Sequence, residues 1–136
     1  MTIPLYRART DGASRGNPGP AALGVSIEDE AGNEIASASE AIGITTNNVA
    51  EYRALLRAMD LLAELGARRV EFLLDSELIV RQMNGEYRVR DAKMKVLYEQ
   101  AYRKLTRFLT ARFLHVPRGE NARADALANE ALDKRR

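Results

Sequence analysis

The sequence predicts an α/β fold, one mixed five-stranded sheet with helices on both faces. Three observations lead there. Three extended runs joined by short turns occupy residues 3–42, the pattern of an antiparallel meander. Beyond them, two apolar runs of strand length alternate with stretches whose apolar residues recur every three or four positions. The chain has 136 residues, 46% hydrophobic and 29% charged, which suits one core in a single domain spanning residues 1–136.

Residues 3–10 read as a strand of mixed polarity. Asp11 to Pro20, D-G-A-S-R-G-N-P-G-P, is dense in turn formers and reads as a hairpin connection. Leu23 to Ile27 is the second strand, Asp29 to Asn33 holds a turn, and Glu34 to Ile42 is the third. Thr45-Thr46-Asn47-Asn48 then supplies helix-capping side chains. The helix that follows runs to about Leu65, with Tyr52, Leu55, Leu56, Met59, Leu62 and Ala63 on its buried face and Gly66 as its stop.

Val70 to Leu74 is a fourth strand, and Ser76 to Met83 a short helix ended by Asn84-Gly85. Glu86 to Arg90 is irregular and basic. Met94, Leu97, Ala101, Leu105 and Phe108 mark a further helix. Ala111 to Val116 is the fifth strand, Pro117 to Asn121 a loop, and Ala122 to about Lys134 a terminal helix. Asp133 to Arg136 is expected to fray. Arg7 and Arg9 share strand parity with Asp11, so both point to one face of a central strand. Glu71 on the neighbouring strand is their available partner, and the rest of that part of the face is expected to be open to solvent.

Composition excludes several chemistries. The chain has no cysteine, so disulfides and thiolate metal sites are ruled out. Its one histidine, His115, cannot build a His-rich zinc site or a hydrolytic triad, and is expected to be structural. No apolar run approaches the roughly 20 residues of a membrane span, and the start lacks the apolar stretch of a signal peptide. A cytoplasmic protein without membrane attachment is expected.

Four acids stand where a carboxylate is uncomfortable. Asp11 and Asp75 each follow an extended run, while Glu51 lies on the helical stripe of Leu55, Met59 and Leu62, and Asp125 on that of Ala128 and Leu132. Strand ends and buried helix faces are where α/β folds assemble active sites. Carboxylates meeting there would repel one another and lose hydration. A divalent cation relieves both, and an all-oxygen donor set suits Mg2+ or Mn2+. With these four set aside, 21 Lys and Arg face 15 acids, a balance of +6 that suits a phosphate backbone as partner. Taken singly, each acid also has an ordinary reading as a turn starter, a helix-end charge, a cap or an ion-pair partner.

Taken together, the segments resemble type-1 ribonuclease H. The matching stretches are D-G-A-S-R-G-N-P-G-P, T-T-N-N-V-A-E-Y-R-A-L, L-L-D-S-E-L-I-V-R-Q-M-N-G-E-Y and V-P-R-G-E-N-A-R-A-D-A-L-A, in that order and across nearly the whole chain. The likeness is to the short bacterial and archaeal branch, without the Trp-containing basic protrusion and without a hybrid-binding domain ahead of Asp11. The resemblance implies the ribonuclease H fold and endonucleolytic hydrolysis of the RNA strand of an RNA/DNA hybrid duplex, leaving 3′-hydroxyl and 5′-phosphate ends. It implies a monomer holding two Mg2+ or Mn2+ ions on Asp11, Glu51, Asp75 and Asp125. Ions so placed clamp the attacking and leaving oxygens of an in-line displacement.

The same resemblance assigns substrate contacts to Gly12, Ser14, Asn17, Asn47 and Asn48, together with Glu51, around the ribose 2′-hydroxyl that separates RNA from DNA. It assigns Thr46 to a phosphate of the DNA strand. Two departures stand out. Ile44 occupies a position where relatives often carry an arginine for that phosphate. Arg118 lies in the loop where many carry a histidine, and is read as a catalytic contact to the scissile phosphate region. Arg88, Arg90, Lys93 and Lys95 are the substitute for the missing basic protrusion. Other nucleases on the same fold and a non-catalytic hybrid-binding module are the rival readings. The second would be expected to have lost one of the four acids.

Overall fold

The computed structural model describes residues 2–134. Five strands form one sheet: β1 (Leu5–Ser14), β2 (Gly19–Glu28), β3 (Glu34–Thr45), β4 (Arg69–Leu74) and β5 (Thr110–His115), in the order β3-β2-β1-β4-β5. β1, β2 and β3 pair antiparallel, and β4 and β5 join on parallel to β1. Four helices accompany them: α1 (Asn47–Glu64), α2 (Glu77–Met83), α3 (Ala92–Lys104) and α4 (Ala122–Asp133). The architecture is the one expected from the sequence. No helix among the described residues is long and apolar enough to cross a membrane.

The alternation of β1 divides the molecule into two layers. Ala8, Thr10 and Gly12 pair with Ile27, Val25 and Leu23 and face α1. Here lies the main core, in which Tyr52, Leu55, Met59 and Leu62 of α1 meet Phe72 and Val70 of β4. Phe72 stacks on Phe113 at 5.0 Å and meets Phe108 edge-on at 6.2 Å. On the opposite face α4 covers β2, with Ala22, Ala131 and Leu132 packed together. Beyond it the face carries ion pairs around the buried Leu73. Arg7 reaches Glu71 at 3.2 Å, Arg9 reaches Glu28 at 2.8 Å, and Arg112 of β5 reaches Glu71 at 3.2 Å. The Arg7–Glu71 pair is as expected.

Helix boundaries follow their capping residues. Thr46 accepts from Val49 N at 3.3 Å, Ser76 from Ile79 N at 3.4 Å and Asp91 from Met94 N at 3.0 Å. Gly66, at φ +71°, turns the chain after α1. α3 ends at Lys104 and continues as a 3-10 turn over Leu105–Arg107, earlier than the apolar spacing predicts. Of the tail expected to fray, Asp133 belongs to α4 and Lys134 to its cap, while Arg135 and Arg136 lie outside the described residues.

The main correction concerns the first hairpin. The sequence puts the end of β1 at Thr10 and the start of β2 at Leu23, but the two pair from Arg7–Glu28 to Ser14–Ala21. Asp11, Gly12 and Ser14 are therefore strand residues, and only the tip carrying Asn17 is a turn. Ala13 and Ser14 find partners in Ala22 and Ala21, so the small residues that suggest a loop extend the ladder. β3 likewise runs to Thr45 beyond the expected Ile42, because an extra residue at Ile42 forms a bulge and pairing resumes at Gly43.

Candidate active site

Two glycines without side chains bring the four acids together. A β-carbon on Gly12 would lie 2.2 Å from the Ala50 carbonyl carbon and 2.3 Å from Glu51 N, so only glycine lets α1 come this close to β1. One on Gly24 would lie 2.1 Å from the Ala124 carbonyl oxygen. Gly24 is the residue paired with Asp11. The first contact delivers Glu51 to Asp11 and the second delivers Asp125, from opposite faces of the sheet. Asp75 arrives from β4, which runs parallel to β1 and ends one residue before it.

Carboxylate oxygens of Asp11, Glu51 and Asp75 lie within 4.8 Å of one another. Asp125 lines the same cleft and adds to the rise of the Asp11 pKa. Glu51 Oε1 accepts from Gly12 N–H. Asp11 and Glu51 are buried, whereas Asp75 and Asp125 are half-buried. Burial, reinforced by the charge of Glu51, raises the Asp11 pKa far above the carboxylate range. Burial likewise raises Glu51. It also raises Asp75, against which the Arg118 charge acts. A hard, all-oxygen set held this closely fits a divalent cation of the Mg2+ or Mn2+ kind.

A cleft of ≈ 500 Å3 opens over the acids. Arg118, Gly12, Ser14, Asn47 and Asn48 also line it. Asn47 Oδ1 takes both the N–H (2.8 Å) and the hydroxyl (3.0 Å) of Ser14, and Asn17 Oδ1 takes the Asn47 N–H (3.1 Å). The β1–β2 tip and the start of α1 are thereby fixed together. Thr46 stands outside the cleft, and Ile44 is 71% exposed beside it. Arg118 sits in a 3-10 turn (Arg118–Asn121) rather than an open loop, with Nη2 3.8 Å from Asp125 Oδ1. His115 is exposed at the end of β5 and does not line the cleft.

Asn129 and Ser76 also line the cleft and were not singled out from the sequence. Asn129 Nδ2 donates to the Asp125 carbonyl at 3.0 Å. Its spacing of four from Asp125 on one helix was the available signal. A second hollow, larger at ≈ 650 Å3, lies between Tyr87, Arg88, Lys95 and Tyr98, away from the acids. Size alone would favour it, but the converging carboxylates mark the smaller cleft as the reactive one.

The raised pKa values predict an inverted pH response. A carboxyl whose folded pKa exceeds its unfolded value keeps a proton that the unfolded chain releases. Its contribution is fully present below the unfolded value, near 4, and is lost as pH rises towards the folded value. The carboxyls lowered by hydrogen bonds, such as Glu34 and Asp60, act below that window. Metal-free protein is therefore expected to melt at a lower temperature at about pH 8 than at about pH 5. Asp11→Asn is expected to flatten that slope, and Mg2+ or Mn2+ to restore the melting temperature at the higher pH, because ions bind the folded cluster only. Thermal melts across pH with and without chelator check this. A melting temperature that climbs through the same range would refute it.

Comparison with known proteins finds relatives named as ribonucleases. The family described as "Reverse transcriptase-like" matches residues 9–131. The Ribonuclease HI of Halobacterium salinarum is 45% identical over 123 residues, covering 90% of this chain and 62% of that protein. The Ribonuclease H of Halorhodospira halophila is 34% identical over 145 residues, covering 96% and 94%. The structure of LC11-RNase H1 in complex with RNA/DNA hybrid superposes with a TM-score of 0.91 at 47% identity, covering 95% of this chain and 97% of that one. The chain spans 34% to 62% of the length of the first curated relatives it matches.

Proposed function

Because the chain belongs to the ribonuclease H family, we propose that it hydrolyses the RNA strand of RNA/DNA hybrids endonucleolytically, acting as a monomer and leaving 3′-hydroxyl and 5′-phosphate ends. The observation that carries the reading is the convergence of Asp11, Glu51, Asp75 and Asp125 from four separate elements of one chain into one cleft. The hybrid held by the 47% identical LC11 protein supports the substrate. Two Mg2+ or Mn2+ ions held by the four acids would supply a water nucleophile at neutral pH and stabilise charge on the attacked phosphate and the leaving oxygen.

The chain's own residues do the rest. Asn47 has its Oδ1 committed to Ser14, so its amide N–H groups remain to donate to a ribose hydroxyl. Exposed Asn48 also lines that wall, and Asn17, outside the cleft lining, braces it by accepting from the Asn47 backbone N–H. Gly12, whose side-chain space is filled by the Ala50–Glu51 backbone, lets the start of α1 lie against the strand at the edge of the cleft. Thr46 already accepts from Val49 N, and its hydroxyl proton remains free to donate to a DNA-strand phosphate. With Ile44 beside it, that contact lacks a second cation. Arg118 presents planar donors on the Asp75 and Asp125 side of the cleft.

The experiment is a gel assay on RNA/DNA, RNA/RNA and DNA/DNA duplexes with Mg2+, Mn2+ or chelator, with analysis of the product ends. Cleavage confined to the RNA of the hybrid, dependent on metal, is expected. Cleavage that survives chelator, or an intact hybrid, would overturn the reading. A preference for RNA/RNA would move the substrate to a different nuclease class on the same fold.

Hybrid affinity is expected to depend on one basic strip. Arg88, Arg90, Lys93 and Lys95 are all exposed, and none has an ion-pair partner among the described residues. Phosphate contacts of this kind strengthen binding and fade with salt, because bound counterions are released. Neutralising all four is expected to raise KM by at least about tenfold at low salt and to flatten its salt dependence, with kcat little changed. A loss confined to kcat would contradict the assignment.

A further inference from the structure

The segment between β5 and α4 is tied to the residue that precedes each strand-borne acid. Val116 N–H donates to the Leu74 carbonyl at 2.9 Å, one residue before Asp75. Asn121 Nδ2 donates to the Thr10 carbonyl at 2.7 Å, one residue before Asp11. Thr10 is also the last β1 residue paired with β4. Beside this tie, Arg9 Nη1 donates to the Glu120 carbonyl at 2.7 Å.

Asn121 is unusual for its position. It precedes the first residue of α4, where an asparagine side chain normally accepts from a free helix N–H. Here it makes no capping bond. Its carboxamide is turned to the strand, with the residue fully buried and Oδ1 without a partner among the described residues. An uncapped helix start is less stable than a capped one, and an unpaired buried acceptor costs further. A residue chosen only to begin a helix would not sit this way. The same turn carries Arg118 at its start and leads into the helical turn that carries Asp125.

We propose that Asn121 is a positioning residue that sets Asp125 and Arg118 in register with Asp11. The proposal rests on the reading of the acid cleft as a metal site, and it adds the tie that holds the α4-borne half of the cleft against the strand-borne half. Without the carboxamide, the 116–121 segment keeps its links to Leu74 and to the Arg9 side chain but loses its hold on the β1 backbone beside Asp11. Asp125 then samples a wider range of positions relative to the other acids.

The test titrates Mn2+ calorimetrically into the full chain as wild type, Asn121→Ala and Asn121→Ser, at a temperature where circular dichroism shows each folded. Serine caps a helix as well as asparagine does, but its hydroxyl is too short to replace the carboxamide at Thr10. Both variants are expected to bind Mn2+ about 10- to 100-fold more weakly, the scale of losing a group that orients a metal ligand. On a hybrid, kcat is expected to fall while KM stays within about threefold. Wild-type Mn2+ affinity in a folded variant, or full recovery with serine, overturns the proposal, since Asn121 would then serve α4 alone. If neither variant folds, Arg9→Met cuts the adjacent tie to Glu120 while keeping an apolar stem. Its Mn2+ affinity is expected to fall in the same direction, and an unchanged value overturns the proposal. The calorimetry needs no cleavage. A wild type that binds Mn2+ but cuts no hybrid removes the proposed reaction and leaves positioning to be judged on affinity; a wild type that binds no Mn2+ overturns both.

Discussion

Asp75→Asn is expected to lose cleavage of an RNA/DNA hybrid by about 1,000-fold or more, beyond the loss of a single neutral transition-state donor, while the protein stays folded. The side chain is nearly isosteric, so packing at the end of β4 is kept. The following helix does not depend on it, because Ser76 and not Asp75 caps α2. What disappears is one charge from a crowded set in which Asp11 already feels Asp75. In metal-free protein that removal relieves repulsion, so the melting temperature is expected to hold or rise. In Mg2+ or Mn2+ the variant is expected to show a smaller metal-induced rise than wild type, since a ligand is gone. Single-turnover cleavage and paired melts check both halves. A variant as active as wild type in Mg2+ would sink the assignment of Asp75 to the metal site.

Much of this was legible in the sequence, for identifiable reasons. The order of strands and helices follows from hydrophobic period and from capping residues that act locally, as Thr46, Ser76 and Asp91 do. The acids stood out because each broke the pattern of its own element. What stayed hidden depends on contacts between distant elements. Gly12 reads as a turn residue until α1 is seen pressed on it. Arg112 reads as an exposed strand residue until the parallel register of β4 and β5 sets it opposite Glu71. Asn121 reads only as the end of a loop, and the tertiary structure turns its carboxamide to Thr10. Local rules failed mainly around the cleft, where strands extend further and a side chain forgoes its local bond, as expected where function competes with local preference.

Arg118→Ala is expected to slow cleavage by roughly 10- to 1,000-fold, the scale of removing one transition-state donor. The guanidinium is largely exposed, 3.8 Å from Asp125, and its charge acts on Asp75. An exposed pair at that distance adds little to stability, so the melting temperature is expected to move little and a rate effect would be catalytic in origin. Arginine cannot shuttle a proton near neutral pH. It can offer a planar fork to a phosphate oxygen and stabilise charge as it develops. Arg118→Lys is then expected to recover only part of the rate, because the charge returns without the fork. The pH–rate profile is expected to lack an inflection near ~6.5 from a catalytic imidazole, since His115 lies outside the cleft at the end of β5. Single-turnover rates of both variants, together with a profile of His115→Ala, decide the matter. If Arg118→Ala keeps the wild-type rate, or if wild type shows such an inflection and His115→Ala abolishes it, the arginine is a surface residue and proton transfer in this cleft runs through the histidine instead.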